Sequence, residues 1–325
     1  MLNTLNKSLE KWLPLITPAS VMIGIVLTVW LKSYAYLVPW IFGFMTFAGS
    51  LSMNFKDLKK ALAHPFPIFV TMTALHVLMP AVAWLIGLVL FHDDVYLRTG
   101  FILMVVIPTG VVSFMWASIY KGNIALTLSV ILIDTLLSPF LVPLTMETLM
   151  GVQVKMDVPG MMKGLIFMIV LPSLLGMLLN QLTQGRVKER VGRKLSPFSK
   201  IALAITIAIN SAVVAPYFTK IDGKLVLTAC VIVLIASTGY VLGWLLAKWL
   251  KWDRSVMVTM VFNSGMRNNS AGAVLAVSYF PPPVAMPVIM CMLFQQLLAS
   301  LFGHLFCKSQ ASMPLQPVQQ RHSTS

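Results

Sequence analysis

Charged residues are scarce in this sequence. Asp, Glu, Lys and Arg together make up 10% of its 325 residues, against about 25% in soluble globular domains. Acidic residues are the scarcest, at 10 against 24 basic ones, while hydrophobic residues fill 58% of the chain and the mean hydropathy is +0.85. This composition excludes an ordinary soluble domain and indicates an integral membrane protein.

The sequence also lacks the common signatures of metal centres and enzymes. Its three cysteines, Cys230, Cys291 and Cys307, have no metal-ligand spacing, and there is no His-Glu-x-x-His or Gly-x-Ser-x-Gly motif. We therefore predict no metal, no cofactor and no enzymatic activity. The net charge of +14 would suggest a nucleic acid partner in a soluble protein. Here the basic residues lie mainly in short loops, so we expect contact with a lipid bilayer and not with nucleic acid.

Long apolar runs predict the fold class. At about 20 apolar residues for each crossing, the sequence predicts an all-α membrane protein with ten transmembrane helices, here called spans 1 to 10. They cover residues 13–31, 37–55, 66–91, 100–120, 124–146, 163–182, 201–218, 225–250, 255–280 and 284–306. We expect one transmembrane domain, residues 1–307, followed by a polar cytoplasmic tail, residues 308–325.

The loop charges and the number of spans predict the topology. Most basic loop residues fall on the side that holds both termini. By the positive-inside rule, this pattern predicts a multi-pass protein of the cell membrane with both termini in the cytoplasm. Five spans in each half give the two halves, about 13–146 and 163–306, opposite orientations, which permits an inverted repeat.

Polar residues and a proline interrupt span 4 and span 9, the fourth span of each half. Span 4 contains Ile-Pro-Thr-Gly-Val-Val-Ser at 107–113, and span 9 contains Val-Phe-Asn-Ser-Gly-Met-Arg-Asn-Asn-Ser-Ala at 261–271. Interruptions in matching positions of two halves are typical of a transporter binding site, and two unrelated kinks are the alternative. The second half-helix of each span begins near Ser113 or Asn268. Its unpaired N–H groups point toward the break and favour an anion.

Ionisable residues inside the spans are few. Asp134 in span 5 is the only acidic residue deep in a span, and Arg267 in span 9 is the only basic one. Because a charge at that depth costs about 2.5–3.5 kcal/mol on insertion scales, we expect the two to be neighbours. They either bind or gate a substrate, or form a static ion pair that locks the repeats together. His76 in span 3 and Asn210 in span 7 are weaker candidates, each with a structural hydrogen bond as the alternative.

At these residues the chain resembles the bile acid:sodium symporter family. The resemblance runs through nearly the whole chain, and it is carried by segment 50–60 with Pro65, Met79-Pro80, Pro108 to Ser113, Ser138-Pro139 with Pro143, and Gly265-Met-Arg-Asn268. It implies ten helices in two inverted repeats, with helices 4 and 9 broken at the membrane midplane and crossing at their breaks.

The chain departs from the family at the positions that the resemblance assigns to sodium. Sodium-coupled members read Glu-x-Gly-x-Gln-Asn in span 9, where this chain has Asn263 and Arg267 at the two sodium-binding places. Three further family ligands or their neighbours, an asparagine, a glutamine and a threonine, are replaced by Phe114, Leu75 and Ile131. The residual sodium-site positions are Ser113, Thr127 and the altered Asn263. Because a hard cation needs several oxygen ligands, we infer that neither sodium site survives and that Arg267 supplies a built-in positive charge, with Asp134 as its counter-ion.

The sequence therefore predicts a secondary transporter that moves a small organic anion, a carboxylate or sulfonate, by alternating access and without sodium. It is either proton-coupled through Asp134 or a uniporter. The predicted coupling residues are Asp134, Arg267 and His76, and the predicted substrate-binding residues are Thr109, Gly110, Ser113, Asn263, Ser264, Arg267, Asn268 and Asn269. Two alternatives remain: a sodium-coupled organic anion or bile acid symporter with relocated ligands, and a non-transporting membrane sensor or scaffold.

Overall fold

A computed structural model describes residues 15–53, 65–218 and 222–308, and helices fill nearly all of these ranges, with no strand among them. The helices are α1 (Leu15–Val26), α2 (Thr28–Ser50), α3 (Pro65–Leu90), α4 (Val95–Val106), α5 (Val112–Ile119), α6 (Ile124–Met150), α7 (Val158–Leu182), α8 (Lys188–Tyr217), α9 (Gly223–Trp249), α10 (Arg254–Gly265), α11 (Asn269–Tyr279) and α12 (Pro282–Cys307). The all-α fold class is confirmed.

Helix length decides which segments can cross a bilayer alone. Six helices in the described ranges are long and apolar enough, namely α3, α6, α7, α8, α9 and α12. Helices α1 and α2 pass the same test only as a pair, bent by 87°. Spans 4 and 9 are each divided into two half-helices, α4 with α5 and α10 with α11. The number of ten crossings therefore stays a prediction.

The predicted bounds of the first two spans are wrong. The hydropathy of the sequence predicts a loop at residues 32–36, whereas α1 ends at Val26 and α2 continues from Thr28 to Ser50. The bend lies at Leu27, where the Thr28 hydroxyl donates to the carbonyls of Gly24 and Ile25 at 3.1 and 2.6 Å and so satisfies acceptors near the bend. Residues 54–55 of predicted span 2 and residues 309–325 of the predicted tail lie outside the described residues.

Several other helices are longer than predicted. Helix α7 begins at Val158 and α8 at Lys188, before the apolar runs from which spans 6 and 7 were predicted. The added turns of α8 contain charged side chains, which a hydropathy criterion rejects although they are good helix formers at the water-exposed end of a helix. The added turn of α7 contains Pro159 and Gly160, residues that are accepted at the start of a helix.

Asx side chains begin most of the helices that follow a loop. A side-chain oxygen of the N-cap residue accepts a hydrogen bond from the first turn at α4, α6, α7, α9 and α10, and the caps are Asp94, Asn123, Asp157, Asp222 and Asp253. At Asp253, partial burial raises the pKa of the carboxyl, but hydrogen bonds from Ser255 and Val256 outweigh it and hold the pKa below its ordinary value.

The first half-helix of each broken span is deeply buried. Every residue of α4 from Leu97 to Val106 is buried, as are the α10 residues from Met257 to Gly265. Breaks in a membrane helix are tolerated where the exposed backbone groups face protein and not lipid. Burial by the surrounding helices therefore explains why spans 4 and 9 can be interrupted.

Two glycines on α9 allow α10 to pack against it at very short range. A Cβ atom on Gly239 would lie 2.5 Å from the carbonyl oxygen of Ser264, and one on Gly243 would lie 2.4 Å from that of Met260. The four-residue spacing places both on one helix face, as in the small-residue interfaces of membrane helices. Helix α9 thus supports the end of α10 that leads into the break.

This close packing predicts that Gly243→Ala is destabilising. The added methyl group would force α9 and α10 apart, and overpacking of this kind costs about 1–3 kcal/mol. We expect a lower midpoint of thermal unfolding for the purified protein in detergent. Gly49→Ala is the matched control, because a Cβ there would meet nothing within 4 Å. Equal midpoints for the two variants would contradict the packing.

Candidate functional site

The two breaks cross and pair with each other. Thr109 and Arg267 form an isolated antiparallel bridge, in which the Gly110 N–H donates to the Met266 carbonyl at 3.1 Å and the Asn268 N–H donates to the Pro108 carbonyl at 2.8 Å. These bonds satisfy backbone groups that the helices release. The crossing that the family resemblance implied is confirmed.

Local sequence explains where each half-helix ends. Helix α4 stops at Val106, and Ile107 is extended, with φ −57° and ψ 148°, because the following proline disfavours the helical conformation of the preceding residue. At Gly110, a Cβ atom would lie 2.9 Å from the carbonyl oxygen of Arg267. Only a residue without a side chain permits the two breaks to approach this closely.

The start of α11 is capped by the break itself. The Asn268 side chain accepts a hydrogen bond from the Ala271 N–H at 3.2 Å. Asn269 points toward α12, where its amide donates to Gln295 Oε1 at 2.5 Å and to Cys291 Sγ at 3.4 Å. Of the predicted substrate-binding asparagines, one is therefore used as a cap and the other is fastened to a neighbouring helix.

Asp134 is fully buried and joins three elements. Its Oδ1 atom lies 2.7 Å from His76 Nε2 on α3, and its Oδ2 atom accepts a hydrogen bond from the Thr109 N–H at 2.7 Å. The side chain of His76 is only 6% exposed. Asp134 on α6 thus links α3 to the break between α4 and α5.

A proline in α3 helps to place His76. Residues Ala74–Leu78 form a turn of π-helix, because Pro80 has no N–H with which to bond the carbonyl of His76 four residues earlier. Turns of this kind occur frequently at functional sites in membrane and soluble helices. The bulge lies at the residue that contacts Asp134.

The predicted ion pair between Asp134 and Arg267 is wrong. No Asp134 oxygen lies within 4.0 Å of the guanidinium, and the carboxylate is bonded to His76 and Thr109 instead. The charges of Asp134 and Arg267 still interact through space. Both carboxylate oxygens are occupied by other groups, because Oδ2 accepts the Thr109 N–H and Oδ1 lies 2.7 Å from His76 Nε2.

Arg267 has no acceptor for the ends of its guanidinium. The residue is 4% exposed, and neither Nη1 nor Nη2 has a hydrogen-bond partner among the described residues. Its backbone N–H donates to Gln295 Oε1 at 3.3 Å. Arg267 lines a small cavity, with room for about one water molecule, and the other walls include Met79, Met104, Tyr240, Ser264 and Leu298.

Two of the three residual sodium-site positions, Ser113 and Asn263, are bonded to each other. The Ser113 hydroxyl donates to Asn263 Oδ1 at 2.9 Å, and the Thr109 hydroxyl donates to the Asn263 carbonyl at 3.2 Å. Asn263 Nδ2 is buried without a partner among the described residues, and a donor of this kind repels a cation. Thr127 lies apart from this pair and contacts the Thr259 hydroxyl at 3.1 Å.

The positions where family ligands are missing are filled by packed side chains. Leu75 is fully buried, and Ile131 is 1% exposed. Asn210 lies on α8, and its Oδ1 atom is buried without a partner in the described part of the chain. Gln295, which binds both Arg267 and Asn269, was not identified from the sequence. The signal for it was the adjacent pair Gln295-Gln296 within an otherwise apolar span.

Comparison with known proteins gives a family match and several relatives. A family model described as the Sodium Bile acid symporter family matches residues 39–221. The chain is 51% identical over 304 residues to "Uncharacterized protein YbaS" of Bacillus subtilis (strain 168), covering 94% of this chain and 99% of the relative. It is 26% identical to "Uncharacterized sodium-dependent transporter YocS" of the same organism, covering 86% and 84%. It is 27% identical to "Probable sodium/metabolite cotransporter BASS1, chloroplastic" of Oryza sativa subsp. japonica, covering 88% and 68%.

Proposed function

This chain belongs to the sodium bile acid symporter family, and from that premise we propose that it moves a small organic anion across the membrane without sodium. Family membership makes it a multi-pass membrane transporter and not an enzyme. We place it in the cell membrane with both termini in the cytoplasm, in accord with the distribution of basic residues in the loops. The substrate class, the coupling ion and the roles of individual residues are the content of the proposal.

The unpartnered guanidinium of Arg267 is the observation that carries the proposal for an anion. A buried cation whose donors have no acceptor is costly, so an anionic ligand at the crossing gains both charge neutralisation and hydrogen bonds. The first turn of α11 begins two residues later and adds the positive end of a helix dipole. A carboxylate or sulfonate group matches these donors.

The proposed substrate-binding residues are those of the two breaks. They are Thr109, Gly110, Ser113, Asn263, Ser264, Arg267, Asn268 and Asn269. Among them, Arg267 Nη1 and Nη2, Asn263 Nδ2 and the Ser264 hydroxyl are buried and have no partner in the described part of the chain. These are the donors that an anionic substrate would satisfy once the helices around the crossing separate, because the present cavity is too small for an organic ligand.

The proposal for sodium independence rests on donor chemistry. The family positions present an amide and a guanidinium at Asn263 and Arg267, and hydrocarbon at Leu75 and Ile131, so the oxygens that a hard cation requires are missing there. In this proposal, the fixed positive charge of Arg267 replaces the positive charge that bound sodium supplies in sodium-coupled members. Because this charge belongs to the protein, substrate binding does not depend on a sodium gradient.

We propose that a proton is the coupling ion and that it binds at Asp134. The carboxylate holds the Thr109 N–H at the break, so protonation changes the bond that fastens α6 to the crossing. His76 contacts the other carboxylate oxygen and provides a second proton-binding group beside it. Substrate and proton would therefore act on the same element, the break between α4 and α5, which is what coupling requires.

Sodium symport is the second candidate, and the names of two relatives favour it. One is called a sodium-dependent transporter and another a sodium/metabolite cotransporter. In that case sodium would need oxygen ligands other than the altered family positions. One cluster of oxygens could provide such ligands. It consists of the hydroxyls of Thr127 and Thr259 and the carbonyl of Asn123, which lie 2.9–3.1 Å from one another.

Ligand-induced stabilisation separates the two candidates. A ligand that binds only the folded protein raises its apparent stability by mass action. We expect organic anions that bind to raise the midpoint of thermal unfolding equally in sodium sulfate and potassium sulfate. Uptake of the same anion into proteoliposomes should be equally fast with either cation outside. Stabilisation or uptake that requires sodium would contradict the leading proposal and support the second.

A further inference from the structure

The cavity beside the crossing contains a cationic side chain and lacks a protein acceptor for it. Arg267 lines the cavity, and its terminal nitrogens are without partners among the described residues. Cys291 lines the same cavity. No acidic residue among those described lines the cavity, and Asp134 is bonded elsewhere. The backbone of Arg267 is also held in place, because it pairs with Thr109 in the antiparallel bridge.

A second buried donor lines the same cavity. Ser264 is 1% exposed and lines the cavity, and its hydroxyl oxygen has no hydrogen-bond partner in the described part of the chain. The amide acceptor that lines the cavity, Gln295 Oε1, already receives the Arg267 N–H and the Asn269 amide. The guanidinium and hydroxyl donors are therefore without partners in the described part of the chain, whereas this acceptor is occupied.

The size and walls of the cavity select the ligand. There is room for about one water-sized particle, so an organic carboxylate does not fit without movement of the helices. The remaining walls are apolar, with Met79, Met104 and Leu298 among them. A monatomic anion needs few hydrogen bonds, and unlike water it brings a charge opposite to that of the buried guanidinium.

We propose that this cavity binds a halide ion, chloride under ordinary salt conditions, held by the guanidinium of Arg267 and the hydroxyl of Ser264. The proposal rests on the proposed function in taking Arg267 as the fixed positive charge of the crossing. Chloride neutralises that charge while the cavity is closed, and the anionic group of the substrate replaces it when the helices separate. Chloride and organic anions then compete for one cation.

Titration of purified protein with halides tests the site. The protein is prepared in potassium sulfate, whose inorganic anion is too large for the cavity. The midpoint of thermal unfolding is measured as potassium chloride or bromide replaces sulfate at constant ionic strength, which separates binding from charge screening. We expect a saturable rise as either halide replaces sulfate. In crystals grown in bromide, we expect an anomalous scattering peak beside the guanidinium of Arg267.

Three variants make the test specific. Ser264→Ala removes one neutral hydrogen bond and should weaken halide binding by about 2- to 10-fold. Ser138→Ala is the matched control, because that buried hydroxyl donates to the Thr135 carbonyl of its own helix and should leave binding unchanged. Ala236→Val adds bulk to a wall of the cavity while Arg267 is kept, and it should abolish the halide response even if Arg267 variants do not fold.

The possible outcomes are distinct. No halide response in the unmodified protein, or a response unaffected by both Ser264→Ala and Ala236→Val, would overturn the halide site. Organic anions that stabilise the protein without any effect of chloride would also overturn it and leave the proposed function standing. A halide response that these variants remove, with no binding of any organic anion, would support the halide site and count against the proposed function.

Discussion

Arg267→Gln is expected to lose organic anion binding almost completely. The substitution removes the positive charge that is buried at the crossing and keeps a polar side chain. Loss of one partner of a desolvated charged pair costs about 2–5 kcal/mol, which corresponds to a fall in affinity of at least about 30-fold. The measurements are the concentration dependence of ligand-induced thermal stabilisation and of uptake into proteoliposomes.

Two further variants interpret this loss. Arg267→Lys keeps the charge but not the planar fork of donors, so we expect intermediate affinity. Arg98→Gln is the matched control, since Arg98 is 5% exposed and therefore about as buried as Arg267. Unlike Arg267, it has an acceptor, because its Nη2 atom donates to Gln153 Oε1 at 2.6 Å, outside the crossing. If the folded Arg267→Gln protein binds organic anions as tightly as Arg98→Gln does, Arg267 is not the anion-binding group.

Asp134→Asn is expected to abolish proton-driven accumulation of substrate while exchange of labelled substrate across the membrane continues. Asparagine has the same shape, can accept the Thr109 N–H and can face His76, so the crossing keeps its hydrogen bonds. What it cannot do is bind and release a proton. Accumulation in an imposed pH gradient and counterflow at equal pH are measured in the same proteoliposomes.

Asp134→Ala separates the chemical role from the structural one. Alanine leaves the buried Thr109 N–H unpaired, and an orphaned buried donor costs about 1–3 kcal/mol. We therefore expect Asp134→Ala to lower the midpoint of thermal unfolding, whereas Asp134→Asn changes it little. If Asp134→Asn stops exchange as well as accumulation, the role of Asp134 is structural and not proton coupling. If it changes neither, the protein does not use this carboxylate for coupling.

The positions of the breaks could be predicted because their causes are local. Pro108 disfavours the helical conformation of Ile107, and the polar run from Asn263 to Asn269 cannot face lipid. Matching positions in the two halves then indicated that the breaks meet, and the bridge between Thr109 and Arg267 confirms it. The bend at Leu27 could not be predicted in this way, since no proline or glycine marks it.

The partners of the buried charges could not be predicted from the same reasoning. Two opposite charges at similar depth suggested a direct pair of Asp134 with Arg267. The observed partners of the carboxylate are a histidine and a backbone amide. An amide N–H is invisible in a sequence pattern because every residue except proline has one. Which N–H a carboxylate meets depends on how two helices cross.

The sequence by itself determined the class of protein, most of the helices, the two breaks and the identity of the few buried ionisable residues, because hydropathy, proline and charge act through local free energies. Only the tertiary structure decided how those residues are used. It placed Asp134 on the Thr109 amide and beside His76, and it left Arg267 facing a small cavity without an acceptor. The physical reason is that hydrogen bonds and charge interactions depend on distances of a few ångströms between segments far apart in the chain, and these distances are set by packing.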